Sequence, residues 1–434
     1  MTAPERLTVR GPEDILGFIP HTLGYWPESS LVAMTLHGTR LGATLRLDLP
    51  GPAVRDDPRA FARAVRRYLE SDQDADGSLL VLFAGDATAV PSGYQPLLSQ
   101  VRSVLDQAGM PVREAWCVGD EYWRDAFCTD PSCCPFPGRP VQQIRDSTLS
   151  TEMVYRGSSV GPAPRPGRAP APAPAVPALH RAAVLEAETA WAEELAGRTA
   201  DRTQFTAVLD CWESLLGMPG SEPWLPEVER DAFLRATLLF TVWRDAVLIM
   251  AAAGRRAAEA GAEQFGVLNG GADAAGTGPG ELPPVLPPAL AAERPAGGPL
   301  RTIPSNRTVG RRGESRLGVT AGAATPGYGE VLMGVAPQSP HWTGLDRLDR
   351  IFEQLSALGG QPGAAAFTGR GWIAWCRGRG SYAAAYLGQA LDIDPDYRLA
   401  GLLLELVGRG GICGWAGKKD AAWQKFGDEP APPR

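Results

Sequence analysis

Lysine is nearly absent from this chain: Lys418, Lys419 and Lys425 are the only three among 42 basic residues, against 39 arginines. Arginine is therefore the default cation, and an isolated arginine marks nothing. Histidine is scarce too, with His21, His37, His180 and His341 in 434 residues, which leaves little material for histidine-based chemistry. The first ten residues lack the apolar core of a signal peptide. The most apolar stretch, residues 232–253, carries Arg235, Arg244 and Asp245, charges costly at a bilayer centre. A cytoplasmic protein without a membrane partner is expected. In that compartment its seven cysteines are thiols rather than a disulfide framework. A net charge of −7 lacks the basic face of a nucleic-acid binder, so no nucleic acid is expected. No Walker loop is present and no Gly-x-Gly-x-x-Gly follows a strand, which removes nucleotide binding by those routes.

Glycine and proline, by contrast, are abundant (51 and 40) and clumped. Seven prolines fall within residues 157–179, alternating with alanine, and mark an extended linker. Residues 266–325 are rich in Gly, Pro and Ala and hold few large apolar side chains. Such a stretch buries too little surface to offset its ordering entropy and is expected to be disordered.

Between these segments the patterning is regular. Residues 31–36 and 41–49 are strand-like around a His37–Arg40 turn. A helix is expected over 59–69, a doubly buried strand over 79–84, a helix over 96–108 and a strand over 113–118. Strand, helix, strand within about forty residues makes a βαβ unit with parallel strands. Gly119-Asp120 then turns into a further strand over 121–127. Residues 180–216 read as helical, with Asp201 as a cap and Gln204 at N3, and Pro226 opens a helix running to Ala253. In the last block, Phe367, Gly371, Ala374, Gly378, Ala383, Leu387, Ala390 and Pro395 are spaced like one tetratricopeptide repeat, with Arg370 where the pattern calls for a large apolar residue. The expected fold is an α/β N-terminal domain, a mixed sheet with one βαβ unit, followed by all-α helical domains, the last tetratricopeptide-like. The boundaries are 1–157 for the α/β domain, 158–179 for the linker, 180–265 helical, 266–325 disordered, 326–410 helical and 411–434 a tail.

Two stretches resemble a known group: Leu23-Gly24-Tyr25-Trp26-Pro27-Glu28-Ser29-Ser30-Leu31-Val32 with Arg46-Leu47-Asp48-Leu49-Pro50, and Cys128-Thr129-Asp130-Pro131-Ser132-Cys133-Cys134-Pro135 with Gly138. Together with Ala390-Leu391-Asp392-Ile393-Asp394-Pro395 they are similar to the actinobacterial domain of unknown function 4192 family, over residues 6–157 and 337–415. The resemblance implies a fold and no chemistry. The Pro/Ala linker and the Gly-rich insert depart from it.

The cysteine cluster is the sharpest candidate site. Three prolines and three cysteines in residues 128–138 exclude helix and central strand, and Asp130-Pro131 favours a turn bringing Cys128 toward Cys133. Cys128, Cys133 and Cys134, with Cys117 across the hairpin, supply four soft ligands for zinc. Against zinc, the spacing is not that of a ribbon, and adjacent cysteines point apart in an extended chain. Packed structural thiols are the favoured reading, with a metal site or an activated thiolate as the others. Asp86 and Asp120 each follow a glycine at the carboxyl end of an α/β strand, where open sheets bind ligands or cofactors, although Gly-Asp is also ordinary turn chemistry. His21, Glu28 and Ser30 invite a hydrolase reading, but no Gly-x-Ser-x-Gly elbow surrounds Ser30, and His21 reads as a turn residue between Pro20 and Pro27. Trp191, Trp212, Trp372 and Trp375 read as core, with one of the last pair a candidate for lining a peptide groove on the C-terminal helices. The expected function is a non-enzymatic, regulatory protein- or ligand-binding protein. The alternative is an enzyme or metal/thiol protein using the cysteine cluster or the strand ends, with zinc as the only cofactor in view.

Overall fold

The computed structural model describes residues 8–51, 57–85, 92–165, 175–218, 224–266, 283–288 and 325–424. The chain forms two compact units. The first comprises Met1–Pro172, Ala374–Tyr386 and Gly410–Arg434, the second Ala173–Ile373 and Leu387–Arg409.

The first unit is built on a six-stranded mixed sheet. Its strands are β1 (Ser30–His37), β2 (Arg40–Asp48), β3 (Gly77–Phe83), β4 (Val112–Val118), β5 (Tyr122–Asp125) and β6 (Arg139–Pro140), in the order β2-β1-β3-β4-β5-β6. Only β3 and β4 are parallel. Helix α2 (Arg59–Leu69) follows the first hairpin, and α3 (Gln95–Gln107) is the crossover between β3 and β4. The continuous apolar character of β3 follows from its position between β1 and β4 with both faces covered. Leu80 and Leu82 pack with Ala62, Val65 and Leu98 under α2 and α3. Leu79, Val81 and Phe83 pack on the opposite face with Leu16 and Ile19 of α1 (Pro12–Leu23) and Ile144 of α4 (Gln142–Arg145). Each such side chain removed from water contributes roughly 1.5–3 kcal/mol before entropy is counted.

Helix α1 corrects the reading of a loop around His21. Pro20 lies inside its last turn, and Gly24 (φ 88°) closes the helix with its N–H on the Pro20 carbonyl at 2.7 Å. His21 is thus a helical residue. It is buried between the Ser158 hydroxyl (Nδ1, 3.0 Å) and the Ser150 hydroxyl of α5 (Thr148–Tyr155; Nε2, 3.1 Å).

The far end of β1 carries a polar cluster that patterning does not announce. Asp72 accepts hydrogen bonds from Thr35 Oγ1 (2.5 Å), His37 Nε2 (2.8 Å) and the Ala43 N–H (3.3 Å). Burial alone would raise its pKa, but these hydrogen bonds outweigh burial and hold the carboxyl below its ordinary value. A folded-state pKa below the unfolded one means a contribution fully present above the unfolded pKa, about 3.9, and lost as pH falls through the folded value. The stability difference between wild type and Asp72→Asn is therefore expected to shrink as pH drops from about 5 to about 3. Urea unfolding across that range measures it, and a difference indifferent to pH would contradict the assignment.

The second unit is all helical: α6 (Ala178–Ala196), α7 (Arg202–Gly217), α8 (Val228–Leu238), α9 (Thr241–Ala253), α10 (Arg255–Gln264), α11 (Tyr328–Leu332) and α12 (Trp342–Ser356). The chain ends in α13 (Gly360–Cys376), α14 (Gly380–Ile393) and α15 (Arg398–Gly408), of which α13 and α14 contribute residues to both units. Asp201 caps α7 as expected, its Oδ1 accepting the Thr203 N–H at 2.8 Å. The single helix expected to run from Pro226 to Ala253 is instead α8 and α9, bent by 102°. Phe240 is extended there (φ −99°, ψ 121°) and stacks edge-to-face on Trp243, so the break needs neither glycine nor proline. Among the described residues no single helix is long and apolar enough to cross a membrane. The charges in this stretch are accounted for. Arg235 is fully buried and reaches Glu188 (2.5 Å), the Gly359 carbonyl (2.7 Å) and the Leu355 carbonyl, and Arg244 donates to the Tyr397 hydroxyl at 2.8 Å.

In the C-terminal helices Ala364, Leu387, Ala390 and Ala400 form a small buried cluster. Arg370 pairs with Asp349 (3.0 Å) and Glu353 (2.9 Å) of α12, which explains a cation at a position patterned for an apolar residue. Of the linker expected over 158–179, residues 166–174 lie outside the described residues, 158–165 and 175–177 belong to no helix or strand, and α6 begins at Ala178. Of the stretch expected to be disordered over 266–325, residues 267–282 and 289–324 lie outside the described residues. Residues 283–288 have a defined place against α7.

Candidate functional site

The cysteine loop begins where β5 ends and closes where β6 pairs back on it, Trp123 opposite Arg139 and Tyr122 opposite Pro140. Closure depends on Gly138. At its φ of 139°, a Cβ would stand 2.6 Å from the Trp123 carbonyl oxygen, a distance that real contacts do not reach. Inside the loop two aspartates shape the backbone. Asp125 Oδ1 accepts the N–H groups of Phe127 and Cys128, both at 2.7 Å. Asp130 Oδ1 accepts the N–H (2.8 Å) and hydroxyl (2.7 Å) of Ser132, and the Asp130 carbonyl accepts the N–H groups of Cys133 (3.2 Å) and Cys134 (2.8 Å).

That turn decides where the sulfurs go. Cys133 and Cys134 lie in a tight turn rather than an extended strand, so the objection that neighbouring cysteines diverge does not hold here. Their Sγ atoms are 4.0 Å apart, and the three sulfurs of Cys128, Cys133 and Cys134 all lie within 4.8 Å of one another. All three are free thiols. Cys133 is exposed, and Cys128 and Cys134 are half-buried. Burial, reinforced by hydrogen bonding with Cys128 and Cys133, pushes the Cys134 thiol up to about 11. Arg124 reaches the loop, donating to the Cys128 carbonyl at 3.3 Å.

Cys117 is not one of the converging sulfurs. It faces the core beneath α2 and α3 with Ala115 and Ala126, and burial pushes its thiol up to about 12. Asp120 is exposed at the end of β4, where its Oδ2 would be 3.6 Å from a Cβ on Gly85. Asp86 lies outside the described residues. The hydrolase trio is dispersed. Ser30 is buried, donates to the Glu28 carbonyl (2.6 Å) and accepts from Arg46 (2.8 Å), while the Glu28 carboxylate pairs with Arg165. Trp372 and Trp375 are buried, with their indole N–H groups on the Leu332 (2.9 Å) and Gly411 (2.7 Å) carbonyls. Sequence reasoning missed the contribution of Asp125, whose only signal was an acidic residue at the strand's end.

A mixed α/β sheet carrying a closed three-thiol loop, joined to a helical unit, defines the class to which the molecule belongs. The chain is a member of the family described as domain of unknown function DUF4192, whose model matches residues 12–263 and 353–411. Comparison with curated proteins and with solved structures gives no match.

Proposed function

We propose that this protein holds one zinc ion in the loop of residues 128–134, bound by Cys128, Cys133 and Cys134 as thiolates, with the fourth position left to solvent or to a ligand. The observation that carries the reading is the sulfur spacing. Sulfurs about 2.3 Å from a shared ion stand about 3.8 Å apart at a tetrahedral centre and about 4.0 Å at a trigonal one, and Cys133 and Cys134 are 4.0 Å apart. Burial first, then hydrogen bonding with Cys128 and Cys133, favours the protonated Cys134 thiol, and a dication at the loop removes that obstacle. The raised pKa of Cys134 argues against that thiol as an activated nucleophile, which needs a stabilised thiolate. Three thiolates outweigh the charge of the ion, so the centre suits ligand binding better than activation of water. A zinc centre here is the metal/thiol alternative of the sequence reading, in a binding rather than a catalytic role. The close packing of Ala364 and Ala390 with Leu387 supports a tetratricopeptide-like reading of the last helices.

Full-length protein purified without chelator is expected to contain close to one zinc per chain, reduced at least tenfold in Cys133→Ser and unchanged in Cys117→Ala. Because thiols ordinarily titrate above neutral pH, loading the ion at pH 7 is expected to release close to three protons. Titration calorimetry in two buffers of different ionisation enthalpy measures that number. Wild type without zinc affinity, or equal loss of zinc in Cys117→Ala, would overturn the assignment.

A further inference from the structure

Residues 283–288, Pro-Pro-Val-Leu-Pro-Pro, lie against the corner between α6 and α7, and the way they are held is that of a bound peptide. Gln204, in the first turn of α7, is completely buried. Its carboxamide makes two hydrogen bonds to one residue of the segment: Nε2 donates to the Val285 carbonyl (3.0 Å), and Oε1 accepts the Val285 N–H (2.8 Å). Arg198, at the end of α6, donates to the Pro283 carbonyl at 3.1 Å. Pro287 is buried, while Pro283 and Pro288 are exposed.

These polar contacts read backbone atoms alone. They fix the segment at the one non-proline N–H they engage and leave selection to proline, which pre-sets φ and lowers the entropy lost on docking. With the segment in place the Gln204 side chain is fully buried, and both ends of its carboxamide are satisfied by Val285. The residues that grip, Arg198 and Gln204, fall inside the part of the chain matched by the family model. The segment gripped falls between its two matched blocks. The turn between the two gripping residues, Thr199 and Ala200, also lines an open cavity of about 720 Å³ whose walls include Phe240, Phe265, Tyr328 and Leu332.

We propose that the α6–α7 corner is a binding site for proline-rich peptides, occupied in cis by residues 283–288 and opened when a partner's proline-rich segment displaces them. This site is independent of the thiol loop. A tethered ligand acts at an effective concentration of order millimolar, so a free peptide of micromolar affinity meets a competitor that weakens it by about a hundredfold or more.

The probe is a fluorescein-labelled peptide, Leu-Pro-Pro-Val-Leu-Pro-Pro-Ala, titrated by anisotropy into full-length protein. Pro287→Asp places a charge at the buried position of the segment and is expected to unseat it. This variant is expected to bind the peptide at least tenfold more tightly than wild type, and adding Gln204→Leu is expected to reverse the gain by tenfold or more. A Pro287→Asp protein that keeps its thermal transition and binds no better than wild type would overturn the proposal, as would binding indifferent to Gln204→Leu. Wild type supplies a second measurement that needs no variant. Excess unlabelled peptide should expose the Val285 amide to hydrogen exchange while α7 stays protected. Protection of Val285 unchanged at millimolar peptide would contradict the proposal.

Discussion

Val81→Asp is expected to abolish folding of the sheet unit. Val81 is completely buried in β3 and lies in register with Val32 of β1 and Trp116 of β4, both buried. Its side chain points to the face covered by Leu16 and Ile19 of α1. An aspartate there gains no cationic partner from this apolar surrounding, and a buried unpaired carboxylate either stays charged at a cost of many kcal/mol or takes up a proton. It also loses the isopropyl packing, worth about 1–3 kcal/mol. Together these approach the whole stability of an ordinary domain, about 5–15 kcal/mol. Circular dichroism and size-exclusion chromatography of the full chain should show loss of the sheet signal and an expanded or aggregated species. A variant melting within a few degrees of wild type would mean that β3 is not a doubly covered strand.

The second large effect is expected at Arg235. Its guanidinium, without solvent exposure, joins Glu188 of α6 to carbonyls at and just beyond the end of α12. Truncation to alanine leaves the Glu188 carboxylate, itself only 13% exposed, facing a cavity without its ion-pair partner, and removes a donor from the Leu355 and Gly359 carbonyls, the latter keeping the Gly363 N–H. Removing one partner of a buried pair costs about 3–5 kcal/mol. Arg235→Ala should therefore destabilise the helical unit by that amount in chemical denaturation. The pair Arg235→Met with Glu188→Leu, which replaces both charges by apolar groups of similar volume, is expected to recover most of it, because a buried ion pair rarely outperforms good packing. A loss below about 1 kcal/mol in Arg235→Ala would show that the pair is not desolvated as described.

Much of the sheet was legible because its strands obey period and burial rules. The helix expected over 59–69 is α2, and the apolar run of β3 announced two covered faces. Helix α1 was not legible, because Pro20 in its last turn reads as a helix breaker. Proline suits the first turn of a helix, and Pro20 near the other end forgoes the N–H bond to the carbonyl four residues back, a loss that sequence alone does not show to be accepted. The bend between α8 and α9 was equally hidden, since Leu239 and Phe240 carry no turn signal and tertiary packing around Trp243 sets the angle. The site was half legible. Asp130-Pro131 announced the turn that gathers the sulfurs, but the divergence argued for Cys133 and Cys134 assumed an extended chain, and the Ser132 and Asp130 hydrogen bonds replace that chain with a turn. Including Cys117 as a ligand rested on strand adjacency, and residue parity sends it into the core instead.

X-ray absorption at the zinc edge on the zinc-loaded full-length protein reads the coordination shell of the proposed three-thiolate centre. Three sulfur neighbours at about 2.3 Å and one lighter nitrogen or oxygen neighbour at about 2.0 Å are expected. A shell made only of nitrogen and oxygen, or of four sulfurs including Cys117, would contradict that assignment.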